Sequence, residues 1–120
     1  MATKNPVITD LSPYDGSVKL YTWTLTGTDD GAPIDMTQWA DRSVQFVGTW
    51  GGGTVVFEGS NNGGANYATL TDAQTTAISK TGDGLEQIVE LTALARPRAS
   101  VSVTSVVVSL LVRRQQPMRK

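Results

Sequence analysis

The spacing of turn signals constrains this chain more than any other feature. Clusters such as YDGS (14–17), GTDD (27–30), GGG (51–53), SNNGGAN (60–66) and TGDG (81–84) interrupt it. Between them lie short runs rich in Val, Thr, Tyr, Trp and Phe, at intervals of about ten residues, the pattern of an all-β sandwich or jelly roll. No helix-length amphipathic segment separates those runs, which argues against a parallel sheet with crossover helices.

Eight strands are expected. VKLYTWTLT (18–26) is the first. Residues 43–50 and 54–59 flank Gly51-Gly52-Gly53 and read as a hairpin, because glycine allows the positive φ of a tight reversal. MTQWADRS (36–43) reads as a helical turn or an irregular crossover. Short strands follow at 67–70 and 75–80. Residues 85–92 place Leu85, Ile88, Val89 and Leu91 on one helical face, but eight residues between turn signals favour a strand. Residues 99–104 and 106–113 are the last two, with RPRAS (96–100) as their entry. The expected architecture is an antiparallel, jelly-roll-like sandwich over 18–113. An irregular arm (1–17) precedes it and a basic tail (114–120) follows. The final strand, VVVSLLV (106–112), is apolar at both parities. Either both faces of its sheet are covered, or one face meets another chain.

At 120 residues the chain is long enough for one core without disulfide or metal. It has no Cys and no His. Thiolate nucleophiles, imidazole bases and Cys/His metal sites are therefore excluded. The opening MATKNPVITD lacks the apolar core of a signal peptide, and no apolar run approaches the roughly 20 residues of a bilayer span. Net charge is −1, unevenly placed: residues 1–60 hold seven acids and three bases, residues 61–120 four acids and seven bases. Such a polarity suits head-to-tail or inter-subunit steering. The bases cluster near one terminus without interleaved aromatics, so nucleic acid is not an expected partner, nor is a membrane.

The residues able to carry chemistry do not form a recognisable constellation. Asp29, Asp30 and Asp35 share a loop, and Glu86 and Glu90 are neighbours, without the context of a poised carboxylate pair. Ser60 has no histidine to activate it. GGGT (51–54) lacks the Lys-Ser/Thr of a phosphate loop and leads into a strand. TDDGAPID (28–35) lacks the closing Glu of a calcium loop. No enzyme activity and no cofactor are expected. Trp23, Trp39, Trp50, Tyr14, Tyr21 and Tyr67, with the asparagines of 61–66, leave open a carbohydrate-binding or host-adhesion module. The plainer role of the 61–66 loop is a hairpin connection, since Asn61 and Asn62 tolerate left-handed backbone and Gly63-Gly64 supply it.

From Val44 onward the chain resembles small virion proteins of tailed bacteriophages. The resemblance rests on Gly59-Ser60-Asn61-Asn62-Gly63, then Tyr67, Leu70 and Asp72, then Arg96-Pro97, and the closing strand with Arg113-Arg114. It covers residues 43–114. Gly64-Ala65-Asn66 lengthen the loop, and Tyr67 stands where those proteins usually carry Trp. The resemblance implies a capsid cement or decoration protein, a β-sandwich or jelly roll on the outer capsid surface, made in the host cytoplasm. Its partners would be the major capsid protein and further copies of itself, as homodimer or homotrimer. A head–tail or tail component is the alternative it also implies. The contact residues expected are Asn5, Pro6, Val7, Ile8 and Leu11 of the arm, Asn61 and Asn62, and Arg113, Arg114, Arg119 and Lys120 facing acidic capsid surface. Val106, Val108 and Leu110, or alternatively Val107 and Leu111, would present an apolar face.

Overall fold

A computed structural model describes residues 2–12 and 14–114. Among the described residues there are twelve strands and no helix. The strands are β1 (Thr3–Lys4), β2 (Val7–Asp10), β3 (Val18–Gly27), β4 (Asp30–Gly31), β5 (Ile34–Asp35), β6 (Trp39–Thr49), β7 (Thr54–Ser60), β8 (Ala68–Thr69), β9 (Ser79–Lys80), β10 (Gly84–Gln87), β11 (Leu94–Val101) and β12 (Val103–Arg114). One sheet has five strands in the order β10-β6-β12-β3-β2. The other runs β1-β4-β11-β7-β8, with β5 also on β11 and β9 also on β7. Every pairing is antiparallel except β1 with β4. This is the expected all-β, jelly-roll-like sandwich.

Period-two alternation builds the core. In β3, Tyr21, Trp23 and Leu25 point inward while Thr22, Thr24 and Thr26 point out. In β6 the inward set is Val44 and Phe46, and in β12 it is Val106, Val108, Leu110 and Val112, all fully buried. The second sheet contributes Val55 and Phe57 from β7 and Ala95 and Ala99 from β11. Trp23 and Phe57 meet across the two layers edge to face, with ring centroids 6.3 Å apart, and the Trp23 indole N–H donates to the Ala32 carbonyl at 3.1 Å. Large aromatics thus fill the space between sheets that pack about 10 Å apart.

Several expectations require correction. Within the expected irregular arm, β1 and β2 stitch the N-terminal segment to both sheets, β1 on β4 and β2 on β3. The segments around Gly51–Gly53 do not form a hairpin. Gly51 and Gly52 do take positive φ, but β6 and β7 then diverge into different sheets. Both carry an inward apolar set, and opposing layers satisfy both. β11 begins at Leu94, so Pro97 lies inside a strand rather than before it. The side of β11 opposite β7 is paired at Leu94, Ala95 and Arg98 but not at Pro97, so no ladder bond is lost to the missing N–H. Gly31 lies so close to Trp23 and Pro97 that a Cβ there would stand 2.6 Å from the proline ring. Residues 36–38 form a turn, and strand begins already at Trp39. Strand covers only residues 85–87 of 85–92, as the end of Gly84–Gln87, and Ser79–Lys80 of 75–80. In the latter, Asp72 accepts from the Gln74 and Thr76 amides and closes a turn with Thr75 at φ 61°.

Candidate interaction surfaces

The two sheets present unlike outer faces. On the five-stranded sheet, β6 turns out Asp41, Ser43, Gln45, Val47 and Thr49, and β12 turns out Ser105, Val107, Ser109, Leu111 and Arg113. Across the ladder stand Leu20, Thr22 and Thr24 of β3, Val7 and Thr9 of β2, and Leu85 and Gln87 of β10. None of these is buried. Two of them are charged, and they neutralise each other: Arg113 Nε and Nη2 donate to one oxygen of Asp41 at 2.9 and 2.6 Å. Val7, Val47, Leu85 and Leu111 are exposed at 67, 46, 64 and 39 %. A shallow depression of about 510 Å³ lies at the Asp41–Arg113 end, lined also by Val18, Leu111 and Gln87.

On the outer side of the other sheet, charges interlock. Glu58 is buried, and its Oε1 accepts from Arg96 Nε at 2.9 Å and Arg98 Nε at 3.1 Å. Arg96 Nη1 donates to Asp30 at 3.1 Å, and Asp30 also accepts from the Thr3 hydroxyl. The Arg96 guanidinium lies 3.8 Å above the Tyr67 ring centroid, a cation–π contact that closes the network. Glu58 and Arg96 stand opposite one another in the β7–β11 ladder, so Arg96 and Tyr67, both motif residues in the sequence, are brought together only by strand pairing.

The expected contact residues scatter. Val106, Val108 and Leu110 are buried in the core, since their parity faces the other sheet. They offer no partner surface, and the outward set is Val107 and Leu111. Asn5, Val7, Ile8 and Leu11 are exposed along the β2 edge of the five-stranded sheet, and Pro6 is half-buried. Arg113 is paired within the chain, and Arg114 Nη2 donates to the Asp15 carbonyl at 2.6 Å. Arg119 and Lys120 lie outside the described residues.

Asn61 and Asn62 sit in the connection of the β7–β8 hairpin, as expected. Gly63 and Gly64 have φ of 73° and 87°. The Asn62 carboxamide oxygen accepts from the Asn66 amide and the Ser60 hydroxyl, and Asn61 accepts from the Ala93 amide. These side chains brace their own loop. Beside it, Tyr67, Glu90 and Thr92 help line an open cavity of about 430 Å³.

The carboxylates are engaged structurally rather than converging. Burial works to raise the Asp29 pKa, but hydrogen bonds from the Thr26 and Ala2 amides outweigh it and hold the carboxyl below its ordinary range. The Thr37 hydroxyl does the same for Asp35, aided by the Thr37 amide, and the Trp50 indole for Asp83, aided by the Gly48 amide. Glu86 holds Lys80 at 2.8 Å, and Glu90 accepts from the Thr71 amide. Among the described residues no group of three or more Asp or Glu side chains is placed to share a metal ion. Arg42 is the exception to this economy. It is buried at inward parity, and among the described residues its Nε and Nη1 have no hydrogen-bond partner. Burial pushes its pKa down.

No family model and no curated protein matches the sequence. Solved structures do. The SPBc2 prophage-derived protein YomS superposes with TM-score 0.61 at 16 % identity, over 79 % of this chain and 93 % of that one. A cupin domain from Bordetella pertussis Tohama I gives 0.54 at 12 %, over 95 and 96 %. A cupin superfamily protein from Desulfitobacterium hafniense DCB-2 gives 0.51 at 9 %, over 92 and 78 %. At these identities the likeness is one of fold: the chain is a jelly-roll sandwich of the kind seen in cupin domains and in a prophage-derived protein.

Proposed function

We propose that this chain is a structural protein of a phage-type particle, a capsid cement or decoration protein that stabilises a shell by binding across major capsid protein contacts. The observation that carries the reading is the uncovered, nearly uncharged outer face of the five-stranded sheet, a surface for the subunit association that a shell protein needs. A sandwich whose core is already filled has no internal use for a second such face, and exposed apolar sheet of this kind is characteristic of association surfaces. The prophage origin of a fold neighbour supports the phage assignment, as does the motif resemblance over 43–114. The carboxylates are committed to turns, caps and ion pairs, which favours a binding role over catalysis.

Purified protein added to empty shells should co-sediment with them at saturating stoichiometry and raise their resistance to heat or chelators. Failure to bind shells at tens of micromolar protein would sink the proposal. A second reading, host adhesion through glycans, has one observation in its favour: the cavity beside Tyr67 and the asparagine loop. Trp and Tyr fluorescence titrated with a glycan panel separates the two, because an adhesin responds to sugar and a cement protein does not.

A further inference from the structure

We propose that the outer face of the five-stranded sheet binds the same face of a second copy, giving a twofold dimer that is the unit delivered to the shell. This deepens the reading above and rests on it only for the word shell. Charge selects the occupant. Among the described residues the face's outward side chains hold no unpaired charge: the Asp41–Arg113 pair is closed within the chain at one end, where inward-facing Arg42 also lines the depression. A charged partner surface would have to desolvate its charges against Val47, Val107 and Leu111 without compensation, at a cost that disfavours it. The outer side of the second sheet, with Arg96, Arg98 and Glu58, is unsuited for that reason. An equally neutral face of Ser, Thr, Gln, Val and Leu fits, and the molecule carries one on every copy.

Size agrees. The five strands hold 4, 11, 12, 10 and 4 residues in sheet order, and at about 4.8 Å by 3.3 Å for each residue they cover roughly 600 Å². Two such faces bury about 1,200 Å², at the lower limit of the interfaces that hold stable complexes. Antiparallel sheet faces stack at about −30° with side chains interdigitated. Such a contact pairs like with like, so it closes as a dimer and not as a trimer. No lysine or unpaired acid stands at an outward central position to keep copies apart, whereas soluble sheet faces are commonly guarded that way.

Sedimentation equilibrium tests this directly. The wild-type chain should show twice its 12.8 kDa mass at tens of micromolar. The double variant Val47→Lys/Leu111→Lys should weaken the dimer by more than about a hundredfold, because each lysine would be desolvated at the contact. Both positions are solvent-facing in one copy, so far-UV circular dichroism and the melting temperature at nanomolar-to-low-micromolar protein verify that the fold survives. Leu91→Lys, exposed at 73 % but outside the sheet, should leave the dimer intact. A wild-type chain of monomer mass, a double variant that stays dimeric, or a dimer lost equally in Leu91→Lys would each overturn the proposal. Shell binding scored on the same samples keeps the two readings apart. A monomer that still coats shells refutes the dimer face alone, and a dimer that ignores shells refutes the cement role alone.

Discussion

The two outer faces of the sandwich are made by the same rule and have opposite characters. Both arise from the residues that alternate with the core. On the seven-stranded sheet those residues are Arg96, Arg98 and Glu58, locked to Asp30 and Tyr67. On the five-stranded sheet they are Ser, Thr, Gln, Val and Leu, with one charge pair at the end. The first face has satisfied its polar groups internally and needs nothing further. The second is neutral, with hydroxyls and amides open to water and Val7, Val47, Leu85 and Leu111 exposed among them. A jelly roll can therefore divide its outside between a self-sufficient face and one available for association, without altering the core beneath either.

Three experiments would break or sharpen this contrast. The largest effect is expected at Glu58. Glu58→Gln removes the charge that Arg96 and Arg98 share, and breaking a buried ion pair costs about 3–5 kcal/mol. The two arginines are 21 and 40 % exposed at the side chain, and solvent screening reduces the loss to about 2–3 kcal/mol. Urea unfolding should show it as a lower midpoint at unchanged slope. A change within 0.5 kcal/mol would mean, at about the level of an ordinary surface substitution, that the network is not holding that face.

Arg42 comes next, with the opposite sign. Two nitrogens of its guanidinium, Nε and Nη1, are buried without a partner among the described residues, and the nearby Asp41 is committed to Arg113. Arg42→Met should stabilise the fold by about 1–2 kcal/mol, since apolar replacement of a buried ionic group is commonly neutral or favourable. A marked loss of stability would show that Arg42 is held by a partner outside the described residues.

Asp29 gives the smallest effect, and it is visible only through pH. Its folded pKa lies below the ordinary 3.8, so the carboxylate contributes stability above that value and loses it as pH falls through the folded pKa. The melting-temperature gap between wild type and Asp29→Asn should be full at neutral pH and close progressively below pH 3.8. A gap that widened in acid would contradict the bonding from Ala2 and Thr26.

The fold class was legible because turn residues and alternation are local signals. Tyr21, Trp23 and Leu25 announce an inward parity from sequence alone, and Asn61–Gly64 announce a hairpin connection that the structure contains. Sheet membership was not legible. The glycine turn at 51–53 is chemically suited to a hairpin, yet β6 and β7 part to opposite layers, because only the non-local pairings with β12 and β11 decide where each strand goes. The same limit hid which parity of 106–112 faces out. VVVSLLV is apolar at both, and the choice follows from the layer that covers it, not from its own composition. Arg96, Glu58 and Asp30 are far apart in the chain and converge only through the ladder.

The position of β12 has a consequence for synthesis. It is the last described strand to leave the ribosome, yet it is the middle of its sheet, with β6 on one side and β3 on the other. Until it emerges, β3 and β6 have no central partner, and Val44, Phe46 and Trp23 wait beside a gap four core side chains long: Val106, Val108, Leu110 and Val112. Pairings so distant along the chain close slowly and leave sticky edges bare meanwhile. A nascent chain stalled before residue 103 would be an aggregation hazard, so this protein should depend on chaperones most until β12 has emerged.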